Sequence, residues 1–257
     1  MEVYQAHERT MNILVKQIFS RQLKPGDKLP SERQLAKDMH VDRASLRIAL
    51  KHMEMMNVLN IRQGDGIYVR EYMKGASIEL LRILFLQTEE PDGEWLVDPY
   101  ILDEIWEFWV SFLPEMLKIA SKRITSRDIK AMIDIFDEGL AHLHDKARLI
   151  ELELKSQELV AEIGNNIVVI LLTHTCRPLR KKMIEIFYSS LDDELIKNHI
   201  DMKKELMLSY MTLGAEESFS LIEKYRQLLN SHRLTLRKLI FKDSDKEVKT
   251  NNNLLQK

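Results

Sequence analysis

The chain has 257 residues, 45% of them hydrophobic and 30% charged, with only eight glycines and six prolines. That is the composition of a compact, helix-rich protein long enough for two domains, and it excludes a largely disordered chain. A formal net charge of -2 hides an asymmetry: residues 1–75 carry 13 Lys/Arg against 9 Asp/Glu, and the remainder 25 against 31. A basic front end suits a polyanion.

The single cysteine, Cys176, excludes an internal disulfide, and the polar opening Met1–Arg9 lacks the apolar core of a signal peptide. The longest apolar run, Ile167–Leu172, is far too short to cross a bilayer. These features predict a cytoplasmic protein with no membrane partner.

In chain order, Met11, Leu14, Val15, Ile18 and Leu23 recur at helical spacing, and the turn residues Lys24-Pro25-Gly26-Asp27 follow. This predicts a first helix ending near Gln22. Ser31 with Gln34 has the spacing of a capping box, so a second helix starts at Ser31 and runs to about Met39. After His40-Val41, Asp42 is placed to cap a third helix. Along it Leu46, Ala49, Leu50 and Met53 form a buried stripe, whereas Arg43, Arg47 and Lys51 share another face at i, i+4 and i+8. An arginine fork can address guanine O6 and N7 in the major groove; Lys51 lacks that fork and suits phosphate. Val58–Arg62 and Ile67–Arg70 read as strands, joined by the tight turn Gln63-Gly64-Asp65-Gly66. Arg62 and Gln63 would then lie beside the DNA backbone or the minor groove. Helix, turn, cationic helix and glycine-tipped hairpin follow one another in the order of a winged helix-turn-helix.

The stretches Lys24–Ala36, Val41–Leu50 and Gly64–Val69 resemble the amino-terminal domain of the GntR family of bacterial regulators. The resemblance implies operator contacts from Arg33, Arg43 and Arg47 and a wing, Gln63 to Gly66, that enters the minor groove. Ser45, Lys51, Arg62, Gly64 and Gly66 complete the expected DNA-binding set. Asp42 departs from the family's usual Ser or Thr and sets a carboxylate near phosphate.

Beyond Ala76 the pattern predicts helices at 77–87, 98–123, 126–144, 148–165, 167–190, 192–213 and 215–241, with Asp98 and Ser126 as caps, a kink at Pro178, Gly214 between the last two helices, and a mobile tail at 242–257. The expected organisation is therefore mainly α: a DNA-binding domain at 1–75, an all-helical bundle of about seven helices at 76–241, and the tail. That architecture resembles the FadR branch of the GntR family, which implies a homodimer on a palindromic operator in double-stranded DNA, a small-molecule effector bound in the helical domain, and repression. Many members hold a metal through Asp-x-x-x-His and two later histidines. Here the matching pair falls at best on Glu153 and Gln157, and His199 and His232 stand 33 residues apart. No metal and no other cofactor is expected, which leaves a metal-free effector with acyl-CoA as one candidate; a small organic acid, or no effector at all, are the alternatives.

Trp106, Trp109, Asn165, His174 and Arg177 are the candidate effector residues, although an aromatic stripe at i, i+3 is more often core. His142 and His144, two apart, do not share a helix face. His174 with Cys176 lacks an orienting third residue, so catalysis is not expected.

Overall fold

The computed structural model describes residues 6–19, 21–80, 83, 99–212 and 219–254. The chain is mainly helical and falls into two compact units, Met1–Val97 and Asp98–Lys257.

In the first unit α1 (Ala6–Phe19) packs on α3 (Arg43–Met55) through Met11, Leu14, Val15 and Ile18 on one side and Leu46, Ala49, Leu50 and Met53 on the other, all buried. α2 (Glu32–Asp38) starts at Ser31, whose hydroxyl accepts from the Gln34 N–H. Only half of the expected capping box forms, because the Gln34 amide turns forward to donate to Asp38 at 2.7 Å. The turn to α3 places His40 at φ 53°, and the Asp42 carboxylate accepts the Ser45 N–H at 2.9 Å. β1 (Leu59–Arg62) and β2 (Gly66–Val69) pair antiparallel, with Leu59 opposite Val69 and Arg62 opposite Gly66. Residues 26–29 flank β2: Leu29 N–H donates to Ile67 O and Val69 N–H to Asp27 O. A short 3₁₀ turn, Tyr72–Lys74, follows. Ser77 N–H then bonds to Met56 O, so the chain just past 75 continues to pack on the first unit. Most of the helix expected at 77–87, the Asp98 cap and Gly214 lie outside the described residues.

Among the described residues the second unit is a bundle of seven helices: α4 (Pro99–Ser121), α5 (Ser126–Ala141), α6 (Lys146–Gly164), α7 (Ile167–Thr175), α8 (Arg177–Ser190), α9 (Asp193–Thr212) and α10 (Phe219–Leu254). The segment 167–190 is two helices, broken at Cys176, with Pro178 in the first turn of α8 where its missing N–H costs nothing. α5 is capped by Thr125 rather than Ser126, in a reciprocal box with Asp128. Asn165 closes α6 in the left-handed conformation at φ 44°. The β-branched run Val168–Ile170 is helical, held at its start by Asn166, whose side chain accepts from two N–H groups. The backbone of α10 continues through 242–254, which composition assigns to a tail. Among the described residues no helix is long and apolar enough to cross a membrane.

Candidate nucleic-acid interface and a buried ionic core

The first unit brings most of its expected DNA-binding residues onto one surface. An open groove separates α3 from the hairpin turn, rimmed by Lys28, Glu32, Arg47, Lys51, Arg62 and Asp65, with Gln63, Gly64 and Gly66 at the turn. Gly64 has φ 77°, a conformation that favours glycine and closes the turn. Arg33, at the start of α2, and Arg43, at the start of α3, are exposed and make no ion pair among the described residues.

The other cations are already engaged. Arg47 Nε donates to Glu32 at 2.8 Å while the side chain stays largely exposed, and Lys51 Nζ donates to Glu54 at 2.6 Å. Arg62 sits 3.7 Å from Asp65 and 4.7 Å above the Tyr68 ring. Asp65 also accepts from the Tyr68 hydroxyl at 2.9 Å and from Lys28 at 3.3 Å; these contacts, Tyr68 foremost, hold its carboxyl below the usual range. Ser45 gives its hydroxyl to Asp42 at 2.6 Å and its N–H to the same carboxylate, so its local role is to fix the helix start. The two Ser45 bonds hold the Asp42 carboxyl ionised, its pKa lowered, at the end of α3 that would approach phosphate. The sequence singles out none of Glu32, Glu54 and Lys28, and takes Asp65 only as a residue of the wing turn. Glu54 shares the face of α3 that carries Arg47 and Lys51, whereas Glu32, Lys28 and Asp65 lie outside that helix and only proximity in the fold joins them to it.

In the second unit no hydrogen bond, ion pair or ring contact among the described residues joins any two of the five candidate effector residues. Trp106 is buried with its ring 5.7 Å from Phe187, and Trp109 is buried against Phe108 and Phe112; neither indole N–H has a partner among the described residues. Asn165 is an exposed helix cap, and His174 is exposed in the last turn of α7. Arg177 is spent on Glu158 at 2.8 Å. Cys176 is buried, and burial pushes its thiol up, away from the low pKa a nucleophile needs.

What the core does hold is ionic. Glu153 on α6 and Lys203 on α9, 7% and 8% exposed, meet at 2.7 Å. Lys203 also donates to Ser156 at 3.1 Å and lies 5.0 Å from the Phe136 ring. Gln157 and the Tyr188 hydroxyl donate to Glu153 at 3.0 and 3.1 Å, and Gln157 in turn accepts from Arg180 at 2.8 Å. Burial alone would raise the Glu153 pKa; the Lys203 ammonium, with His199 alongside, overrides it and holds the carboxyl well below its ordinary value. His199 and His232 pack around Phe187 with rings 5.6 Å apart, and burial lowers both pKa values, that of His232 to about 4. A void of about 30 Å³ adjoins Glu153, Ser156 and Lys203, walled by Met116, Met132 and Met207 among other apolar side chains. It has room for two or three waters at roughly 10–15 Å³ each. Among the described residues no group of three or more His, Cys, Asp and Glu is placed to hold a metal ion.

Comparison with known proteins adds a family likeness confined to the first unit. Residues 6–69 match the model described as bacterial regulatory proteins, gntR family. The chain is 30% identical over 117 residues to the HTH-type transcriptional regulator Mce2R of Mycobacterium tuberculosis, covering 45% of this chain and 46% of that one. It is 28% identical over 173 residues to the HTH-type transcriptional regulator LutR of Bacillus subtilis, covering 64% and 74%. The match to Mce2R thus spans about half the length of that relative. Among solved structures, Lar, which controls expression of the Listeria monocytogenes agr system, superposes with TM-score 0.50 at 11% identity over 91% of this chain and 99% of that one; the likeness is of fold. Over residues 6–69, which form its winged helix-turn-helix, the chain is similar to the gntR family of bacterial regulatory proteins.

Proposed function

We propose that the protein is a sequence-specific DNA-binding transcriptional regulator of the GntR family, acting as a homodimeric repressor on a palindromic operator in the cytoplasm. The observation that supports this best is the surface of the first unit. Arg33, Arg43 and Arg47 stand exposed at the starts and on the outer face of the two helices of the motif, beside a glycine-tipped wing. Such a surface can insert one helix into the major groove and lay a hairpin along the backbone. Arg47, steadied by Glu32, is the best placed base reader; Arg33 and Arg43 combine base-edge and phosphate contacts, and Lys51 takes phosphate.

In the same reading the second unit carries dimerisation and the response to a small-molecule effector. The size of the void beside Lys203 and Glu153 favours a small molecule over an acyl-CoA, whose chain exceeds the space for a few waters. Selection from a random duplex pool, followed by anisotropy titration of the selected site against a scrambled one, tests the central claim. A palindromic consensus bound at least ~10³-fold more tightly than scrambled DNA supports it, that being the low end of specific over non-specific binding. Equal affinity for both duplexes refutes it. Native mass spectrometry of the DNA complex reads the subunit count.

A further inference from the structure

The wing turn is fastened from outside the hairpin. Lys28 lies 37 residues before Asp65, yet its backbone bridges to Tyr68 and its stem crosses the face of Gly66 so closely that a Cβ there would sit 2.4 Å from Lys28 Cε. The stem delivers the ammonium 3.3 Å from Asp65 and 5.3 Å from the Tyr68 ring centre. Arg62 closes on the same carboxylate from the other side, and Asp65 N–H bonds back to Arg62 O within the turn. Every group around Asp65 is thus a donor or a cation.

We propose that Lys28 is a positioning residue for the wing: it clamps Asp65, which presets the turn and cancels a carboxylate that would otherwise face the phosphates. The proposal rests on the DNA-binding reading above. Both partners are about half exposed, so the pair adds little to the stability of the fold. Its effect falls on binding: without Lys28 only Arg62, at 3.7 Å, still faces Asp65, and a carboxylate left partly compensated near a phosphate is a like-charge contact that weakens affinity by up to about fivefold in water. A lysine that touched phosphate itself would behave differently, because its loss would not be repaired by removing Asp65.

The test is a double-mutant cycle by anisotropy on the selected duplex, comparing Lys28→Met, Asp65→Asn and the double variant. Methionine retains the stem over Gly66 and removes the charge. Lys28→Met is expected to bind up to about fivefold more weakly, with the double variant restored to within about twofold of the parent, the scatter seen when two sites no longer couple. A double variant as weak as Lys28→Met, or a Lys28→Met protein that binds like the parent, overturns the clamp. Hydrogen exchange of the Asp65 amide without DNA separates the two readings: faster exchange in Lys28→Met with no DNA selected by the parent sinks the DNA reading alone, and unchanged exchange sinks the clamp.

Discussion

Replacing Lys203 by methionine removes the charge that faces Glu153 while nearly conserving volume, so the void beside it grows little. Breaking a buried ion pair from one side typically costs about 3–5 kcal/mol, because the remaining charge stays desolvated. Glu153 would keep donors from Gln157 at 3.0 Å and Tyr188 at 3.1 Å, which places the expected loss near the lower end, about 3 kcal/mol. Glu153→Gln combined with Lys203→Met removes both charges and retains an acceptor for Tyr188; that double variant should lie within about 1 kcal/mol of the parent. Urea unfolding at a pH above 7, read by the fluorescence of Trp106 and Trp109 in the same unit, gives both values. The deficit of Lys203→Met should also shrink as the pH falls, because without the ammonium burial raises the Glu153 pKa and the carboxyl takes up a proton. A single-variant cost below about 1 kcal/mol, or costs that simply add in the double variant, would refute the view that the pair is mutually dependent.

Arg47→Lys retains charge but loses the planar fork, so it should relax discrimination at one base pair by about 1–3 kcal/mol and leave the salt dependence unchanged, whereas Lys51→Ala should weaken all sequences alike and lower the salt slope by about 0.9; anisotropy across a salt series separates them. The His232 pKa falls from 6.5 to about 4 on folding, so the unfolded chain binds the proton first. Its stability contribution is complete above pH 6.5 and is lost as the pH falls toward 4, by about 3 kcal/mol at most; His232→Met should flatten that part of the curve in urea titrations at stepped pH. At Asn165, φ 44°, glycine should be tolerated and alanine should lower stability by about 1 kcal/mol in thermal melts.

The local elements were legible wherever the signal is itself local. Asp42 caps α3 as its spacing implies, and the arginine face of that helix is exposed because the opposite stripe, Leu46 to Met53, is wanted by α1. Departures arose where two local solutions compete. Gln34 could complete a box with Ser31 but meets Asp38 one turn ahead, and Thr125 displaces Ser126 because only Thr125 has an acid three residues on. Pro178 marks a boundary rather than a kink, since a proline in the first turn of a new helix breaks no hydrogen bond.

The ionic core was hidden for a different reason. Its bonds span long sequence distances, 50 residues between Glu153 and Lys203 and 23 between Gln157 and Arg180, so no short window contains both partners. Half of the signal is nevertheless local. Lys203 occupies the buried stripe of α9 with Ile196, Ile200 and Met207, Glu153 that of α6 with Leu149 and Val160, and Arg180 that of α8 with Met183 and Phe187. A charge at a core position cannot remain unpaired without a cost of several kcal/mol, so each such residue implies an opposite charge or a set of donors elsewhere in the same bundle. Glu153 and Lys203 answer one another, and Arg180 turns to Glu158, Gln157 and the Thr173 carbonyl. Charges that fall on core spacing are therefore readable from sequence as a demand, and the fold supplies the partner.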